Sequence, residues 1–263
     1  MLEIDGIYKT YDANLPTQTE LFKGLTYSVS EGDFISIVGS NGSGKTTLLN
    51  IIAGTVAADR GEIRLLGHDV TKLKEYKRAK SIARVFQDPK LGTCPTMTVA
   101  ENLAMAANKG KSYGLNICLK KKDKPKFREQ LSVLGMGLED KLDVLAGQLS
   151  GGQRQALALV MATVTGPDLL LLDEHTAALD PRTSAHIMEL TEKIVTASKI
   201  TTLMVTHNLG YALGFGTRLT MLHAGTVLFD VSGEQKKAQT VDGLIDMFHK
   251  AQHGVVSDTL VFN

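Results

Sequence analysis

The sequence predicts an α/β fold with a mixed sheet, an N-terminal antiparallel β segment and an inserted α-helical subdomain. Three observations support this prediction. Residues 34–38 form a short apolar, β-branched run before a glycine-rich loop and a helical pattern, which is typical of a buried parallel strand. Residues 169–172 are four consecutive leucines, a second apolar run that predicts a fully buried central strand. Between these two runs, residues 89–162 show mainly helical patterns.

Composition narrows the classes of function. The 263 residues carry 29 basic and 28 acidic side chains, a net charge of +1 that gives no reason to expect a nucleic-acid partner. Cys94 and Cys118 form no metal-binding or disulfide pattern, which favours a reducing compartment. The acidic N-terminus is unlike a signal peptide, and no apolar run approaches the ~20 residues that span a bilayer. We expect a cytoplasmic protein that reaches a membrane only through another protein, without direct membrane insertion.

The first 30 residues contain two segments in which apolar and polar residues alternate, as in an antiparallel sheet. Tyr11 ends the first segment. An exposed tyrosine at this position can stack on a purine, although it can equally be an ordinary strand-end aromatic.

The loop after the first buried strand matches the pattern G-x-x-x-x-G-K-[ST]. Its residues are Gly39, Ser40, Asn41, Gly42, Ser43, Gly44, Lys45 and Thr46. Its position between a strand and a helix is the context in which this pattern predicts a phosphate site, and therefore a P-loop NTPase core. Backbone N–H groups and the helix N-terminus attract the phosphates, and Lys45 reaches the β- and γ-phosphates. Thr46 is a candidate Mg²⁺ ligand, and Thr47 extends the predicted nucleotide contacts into the helix.

Gln87 follows the predicted strand over residues 82–86. Ligands of parallel α/β sheets gather beyond the carboxyl ends of strands, so Gln87 is a candidate to sense the metal or to position water. In isolation, a glutamine here is unremarkable.

The predicted helical subdomain contains two features of interest. Thr98 and Glu101 form a capping box that predicts a helix start. A basic run over residues 120–128 can be a patch for a partner or for lipid headgroups. We favour a solvated helix face, because no aromatic residues interleave with the lysines.

The subdomain ends in a Ser-Gly-Gly-Gln sequence, and the residues concerned are Ser150, Gly151, Gly152 and Gln153. A serine and two glycines before a helix predict a second anion-binding helix N-terminus. One nucleotide has no obvious need for two such sites, which suggests that the second one serves a nucleotide held by another molecule.

Two carboxylates follow the leucine run. Asp173 is suited to hold Mg²⁺ or its waters, and Glu174 is suited to orient and deprotonate the attacking water. Asp180 precedes Pro181 and is a good helix N-cap without any further role. His207 follows another predicted strand, over residues 200–206, and we favour a contact with the γ-phosphate over a structural role.

Together these motifs resemble the ATP-binding cassette (ABC) ATPases over essentially the whole chain. The phosphate loop, Gln87, the LSGGQ sequence at residues 149–153, LLLLDE at 169–174, ALD at 178–180 and His207 occur in the order and spacing of that family. Two positions depart from the family pattern. His175 replaces the usual proline, and the helix after LSGGQ lacks the usual later arginine. Neither departure affects a catalytic position.

The resemblance implies roles for individual residues. Tyr11 would stack on adenine, Gln87 would couple the site to a partner, and His207 would be the switch histidine. The family's head-to-tail dimer would place Ser150, Gly151 and Gly152 against the γ-phosphate bound by the other protomer, with Asp180 as a cross-dimer contact. The cofactors implied are ATP and Mg²⁺. The residues implied at the metal site are Thr46, Gln87 and Asp173.

We interpret the chain as one ABC ATPase domain over residues 1–263. Residues 1–88 and 163–263 form its catalytic core, and residues 89–162 form the helical subdomain. The resemblance implies a transporter subunit, and the FQDP and MTVAEN sequences are similar to importer subunits for small solutes such as amino acids. Its partners would be integral-membrane permease subunits and a second ATPase, either identical or paralogous, at the inner face of the membrane. The alternative is a soluble cassette for cofactor-cluster assembly or cell division.

Overall fold

A computed structural model describes residues 1–12, 15, 17–110, 119–120 and 122–252. The chain divides into two compact units. The first contains the described residues of Met1–Arg78 and Thr201–Asn263, and the second is Ala79–Ile200. The predicted boundaries of the helical subdomain, at residues 89 and 162, differ from this division and stay a prediction.

The N-terminal part of the first unit is an antiparallel sheet, as the alternating pattern predicts. Its strands are β1 (Leu2–Tyr11), β2 (Thr19–Val29), β4 (Arg60–Leu65) and β5 (His68–Asp69), in the spatial order β2-β1-β4-β5. Alternate residues of β1, including Leu2 and Ile4, are buried, so one face of the sheet packs on the core.

The phosphate loop follows a strand that is buried along its whole length. This strand, β3 (Phe34–Gly39), pairs in parallel with β8 (Thr201–Val205) and β9 (Arg218–His223), and β10 (Thr226–Ser232) pairs antiparallel with β9. The fully buried pattern explains why β3 is apolar apart from Ser36 and does not alternate between apolar and exposed polar residues.

Helices complete the first unit. They are α1 (Lys45–Ala53), α2 (Glu75–Arg78), α7 (Leu209–Gly214), α8 (Gly233–Lys237) and α9 (Val241–Gln252). Helix α1 ends at Gly54, whose φ of 84° is left-handed and favours glycine.

The second unit combines two parallel strands with helices. Strands β6 (Ile82–Val85) and β7 (Leu169–Asp173) pair in register from Ile82 with Leu169 to Val85 with Leu172. The helices are α3 (Val99–Ala107), α4 (Asp123–Ser132), α5 (Gly151–Thr163) and α6 (Pro181–Ser198), with 3₁₀ turns at Pro89–Leu91 and Ala146–Gln148. The helices and 3₁₀ turns are therefore the regular elements in the described part of residues 89–162, and the predicted α/β fold class is confirmed.

The helical part has its own apolar core. It includes Leu103, Leu131, Leu157 and Ile187, all fully buried. Lys121 of the basic run lies outside the described residues. Lys124 of the same run forms an exposed ion pair with Asp143 at 2.5 Å, and exposed pairs of this kind add little stability.

Among the described residues, no helix is both long enough and apolar enough to cross a membrane.

Candidate nucleotide-binding site

The phosphate loop between β3 and α1 has the backbone that its glycines predict. Gly42 has a φ of 78°, and Gly44, the N-cap of α1, has a φ of 102°. Left-handed residues alternating with ordinary ones turn successive N–H groups toward one side and form a nest for an anion. The N-terminus of α1 adds its positive end at the same place. The loop therefore fits a phosphate group.

Lys45 is folded over this loop rather than into solvent. Lys45 as a whole is 5% exposed, and its Nζ donates to the backbone oxygens of Gly39 at 2.8 Å and Ser40 at 2.9 Å. A buried ammonium group requires such acceptors, and these two lie within the loop itself. The structure therefore holds the charge of Lys45 against the predicted phosphate position.

The turn between β9 and β10 packs against the phosphate loop. The N–H of Gly225 donates to the Ser43 oxygen at 3.1 Å, and a Cβ on Gly225 would lie 1.6 Å from the Leu21 oxygen. A Cβ on Gly39 would lie 2.3 Å from the Leu222 oxygen. Backbone atoms cannot give way by such distances, so both glycines are required for packing, and Gly225, with a φ of 77°, is also required for the turn.

Tyr11 and Thr47, two predicted nucleotide contacts, lie close together. The Tyr11 hydroxyl is 3.5 Å from the Thr47 Oγ1, and the tyrosine is 39% exposed. The Lys9 ammonium lies 5.4 Å from the centre of the Tyr11 ring and donates to Asp59 at 2.9 Å. That hydrogen bond holds the pKa of Asp59 below its ordinary value. The end of β1 thus presents an anchored, part-exposed ring beside the start of α1.

His207 also belongs to the first unit and is exposed two residues beyond β8. The preceding Thr206 donates its N–H to the Ile37 oxygen at 3.2 Å, and its Oγ1 accepts from the Asn208 N–H at 3.1 Å. These bonds attach the segment that carries His207 to β3.

In the second unit, Asp173 is the last residue of β7 and is 8% exposed. Its Oδ2 accepts from Arg84 Nη2 at 2.5 Å, and both side chains are 11% exposed. Sequence reasoning missed this ion pair. The available signal was a single arginine inside the otherwise apolar strand β6.

Glu174 has a φ of 48°, a left-handed conformation that a residue with a side chain seldom adopts. Its backbone oxygen accepts from the Ala177 N–H at 2.9 Å, which begins a turn at once after β7. The chain therefore turns directly after Asp173, the last residue of β7.

His175 is buried, with 2% exposure. Its Nε2 lies 3.1 Å from Thr191 Oγ1, and that hydroxyl donates to the Ile187 oxygen at 2.7 Å. The hydroxyl therefore accepts from His175, which makes Nε2 the protonated nitrogen of a neutral ring. Burial lowers the pKa of His175 to about 4. The residue that departs from the family pattern is a packed core histidine.

Gln87 is exposed two residues beyond β6. The preceding backbone is anchored, because Gln155 Nε2 donates to the Phe86 oxygen at 3.2 Å. The following Asp88 accepts from the Lys90 N–H at 2.9 Å and caps the 3₁₀ turn.

The Ser-Gly-Gly-Gln sequence starts helix α5 with a capping box. Ser150 Oγ accepts from the Gln153 N–H at 3.2 Å, and Gln153 Oε1 accepts from the Ser150 N–H at 3.3 Å and from Lys141 Nζ at 3.1 Å. The box fixes the backbone of Gly151 and Gly152, whose N–H groups begin the helix. The helix N-terminus is therefore built as predicted.

Helix α6 packs closely on this N-terminus. A Cβ on Gly152 would lie 2.4 Å from Thr183 Cγ2. The exposed Asp180 caps α6 by accepting from the Thr183 N–H at 3.0 Å, and this hydrogen bonding lowers the pKa of Asp180. The second unit thus brings the Ser150–Gln153 segment and Asp180 close together.

The donor chemistry of single residues in each unit suits a Mg²⁺ ion that is held partly by its nucleotide. In the part of the chain that the structure describes, no group of three or more His, Cys, Asp and Glu side chains is arranged to hold a metal. Mg²⁺ bound with ATP usually takes one or two protein ligands, with phosphate and water oxygens as the rest. The Thr46 hydroxyl and the Asp173 carboxylate are oxygen donors of that kind.

The sequence matches the family model described as ABC transporter over residues 22–177. It is 48% identical over 251 residues to a tyrosine transport ATP-binding protein of Clostridioides difficile, covering 95% of this chain and 100% of that protein. It is 40% identical over 205 residues to the sulfate/thiosulfate import ATP-binding protein CysA 2 of Chromobacterium violaceum, covering 76% of this chain and 51% of the relative.

The fold is similar to solved ATP-binding cassettes. The dimeric post-hydrolysis state of the cassette MJ0796, bound to ADP and Pi, superimposes with a TM-score of 0.73 and 29% identity, over 88% of this chain and 98% of that one. The ADP conformation of the cassette MJ1267 superimposes with a TM-score of 0.77 and 27% identity, over 95% and 98%.

Proposed function

We propose that this chain, which belongs to the ABC transporter family as an ATP-binding and ATP-hydrolysing subunit, energises the import of an amino acid. Tyrosine is the first candidate substrate. The single observation that carries the substrate class is the 48% identity with a tyrosine transport protein over that relative's whole length. The relatives named above both carry transport names, which favours a transporter over a soluble cassette for cluster assembly or cell division.

We assign the phosphates of ATP to the loop at Gly39–Thr46. Its N–H groups and Lys45 neutralise the β- and γ-phosphates, and Thr47 with the part-exposed ring of Tyr11 receives the nucleoside end. The support for these roles is the nest geometry, the buried Lys45 and the contact between Tyr11 and Thr47.

Thr46 and Asp173 would hold Mg²⁺, and Gln87 would also contact this ion. When bound, the ion neutralises the charge that develops on the phosphate oxygens. Glu174 accepts a proton from the attacking water, because a carboxylate just beyond the metal-binding aspartate is suited to that task. His207 donates a hydrogen bond to the γ-phosphate.

The working form would be a head-to-tail dimer with an identical or a paralogous ATPase. Ser150, Gly151, Gly152 and Gln153 then act on the nucleotide of the partner protomer, and Asp180 contacts the partner chain. The capped, rigid start of α5 and its packing on α6 support this role, because an anion site offered across an interface has to be formed in advance.

We propose that permease subunits bind the protein at the inner face of the cell membrane.

The test is gentle purification of the tagged chain from native membranes, followed by reconstitution of the co-purifying complex in liposomes that enclose ATP. We expect uptake of labelled tyrosine to exceed that of methionine and sulfate, and a matched preparation of Lys45→Ala to take up none. Recovery without any multi-span partner, or equal uptake of all three solutes, would contradict the proposal.

A further inference from the structure

Arg84 forms a buried contact with the carboxylate to which the proposed function assigns Mg²⁺. Arg84 Nη2 lies 2.5 Å from Asp173 Oδ2, and each side chain is 11% exposed. In the parallel pairing of β6 and β7, Arg84 stands opposite Leu171, which is two residues before Asp173 and on the same face of β7. The arginine side chain therefore runs along the sheet toward the carboxyl end of β7.

Phe86, the residue directly after β6, also contacts the guanidinium group. The Arg84 guanidinium carbon lies 4.7 Å from the centre of the Phe86 ring, within the range of a cation–π contact. The backbone oxygen of Phe86 is in turn fixed by Gln155 on α5. The guanidinium is thus placed by an aromatic ring on one side and a carboxylate on another.

Such a pair affects a metal ligand in two ways. A carboxylate accepts hydrogen bonds at both oxygens, so Asp173 can keep Arg84 on Oδ2 and still coordinate. A fixed positive charge at 2.5 Å opposes the approach of a divalent cation, and the low exposure of both groups makes screening by water weak.

We propose that Arg84 is a positioning residue for Asp173, whose charge holds the carboxylate in place without metal and sets the Mg²⁺ concentration that the ATPase requires. This inference rests on the proposed function, because it takes Asp173 as a metal ligand. Arg84 does not touch the nucleotide in this scheme and acts only through Asp173.

The test is metal binding to the full-length protein with ADP, using Mn²⁺ as the probe and electron paramagnetic resonance to count free ion. Arg84→Gln keeps a hydrogen-bond donor but removes the charge, and we expect its half-saturating Mn²⁺ concentration to fall at least threefold. Arg84→Lys keeps the charge and should stay within twofold of the unmodified protein. Lys193→Gln, which removes an exposed charge from α6, is the matched control and should change nothing.

A second readout separates this role from a merely structural one. Affinity for a fluorescent ADP analogue in EDTA should be equal for the unmodified protein and Arg84→Gln, because the effect passes through the metal. Unchanged or weaker Mn²⁺ binding by Arg84→Gln would overturn the inference, and Arg84→Met, which also removes the charge, is judged by the same outcome if the glutamine variant does not fold. Asp173→Asn identifies a different failure, because unchanged Mn²⁺ binding in that variant would refute the proposed metal role of Asp173 itself.

Discussion

His175 Nε2 lies 3.1 Å from Thr191 Oγ1, and this contact ties the turn after β7 to the middle of α6. The turn is the segment that carries Glu174 in its left-handed conformation. A left-handed residue with a side chain is strained by roughly 1–2 kcal/mol, so the surrounding structure has to hold it. We infer that burial of His175 against Thr191 supplies part of that support.

The buried His175 predicts a pH-dependent stability of the metal-free, nucleotide-free protein. Its folded-state pKa of about 4 lies below the ordinary value of 6.5. The unfolded chain therefore binds the proton first as pH falls through 6.5, and stability is lost until about pH 4, below which both states are protonated. At pH 5 the loss amounts to about 2 kcal/mol.

Urea unfolding at pH 7 and pH 5 measures this loss. His175→Gln keeps a donor toward Thr191 but does not titrate, so it should lose about 2 kcal/mol less than the unmodified protein between the two pH values. His68→Gln, at an exposed histidine of β5, is the matched control and should keep the unmodified pH difference. Identical pH dependence of His175→Gln and the unmodified protein would show that the pKa of His175 is the same in the folded protein as in the unfolded chain.

Glu174→Gln should bind ATP and dimerise but hydrolyse ATP at least 100-fold more slowly, because general-base catalysis contributes about 10²–10⁴-fold. The amide has the shape of the carboxylate and cannot accept the proton. Light scattering with and without Mg·ATP measures the dimer, and phosphate release measures turnover. Glu189→Gln makes the same change at an exposed position of α6 and should behave normally. Normal turnover by Glu174→Gln would refute the role assigned to Glu174.

Tyr11→Ala should weaken ATP binding by about fivefold to tenfold, the loss of one aromatic stacking contact. Tyr11→Phe keeps the ring and loses only the hydroxyl contact with Thr47, so its affinity should stay within twofold. Tyr8→Ala alters another part-exposed tyrosine of β1, which lies under Arg60, and serves as the control. Equal weakening by the Phe and Ala variants would show that the hydroxyl, and not the ring, contributes to binding.

Gly152→Ala should destabilise the fold by about 1–3 kcal/mol, since the new Cβ would lie 2.4 Å from Thr183 Cγ2. The helix preference for alanine acts in the opposite direction by up to about 1 kcal/mol, so the clash dominates. Thr183→Ser removes the clashing methyl group and keeps the backbone donor to Asp180. Urea unfolding should therefore find most of the loss recovered in the double variant. A double variant as unstable as Gly152→Ala would exclude this clash as the cause.

Local patterns were enough to predict the strand, loop and helix around Lys45, the capping box of Thr98 and Glu101, the helix start at Ser150 and the cap at Asp180. Each depends on residues a few positions apart, whose hydrogen bonds are decided by short-range geometry. The order of the motifs then identified the family.

The remaining features depend on how distant segments meet. Arg84 reaches Asp173 only because β6 stands opposite β7 in one register, and no local pattern specifies that register. The left-handed Glu174 has no sequence signal, since glycine or asparagine is the residue expected there. His175 has acidic and polar neighbours in the sequence, which do not indicate a buried position. Its burial becomes apparent only in the structure, where it contacts Thr191 of α6.

The order of β strands along the chain has a consequence for biosynthesis. Strand β3 ends in the phosphate loop, yet its neighbours β8 and β9 begin at Thr201 and Arg218. At about 5–20 residues per second, a ribosome needs on the order of 10–30 s to make the intervening chain. Throughout that interval the nascent loop lacks the strands that flank it and the turn at Gly225 that packs against it. We therefore expect the newly made polypeptide to bind ATP only after β8, β9 and the turn at Gly225 have been synthesised.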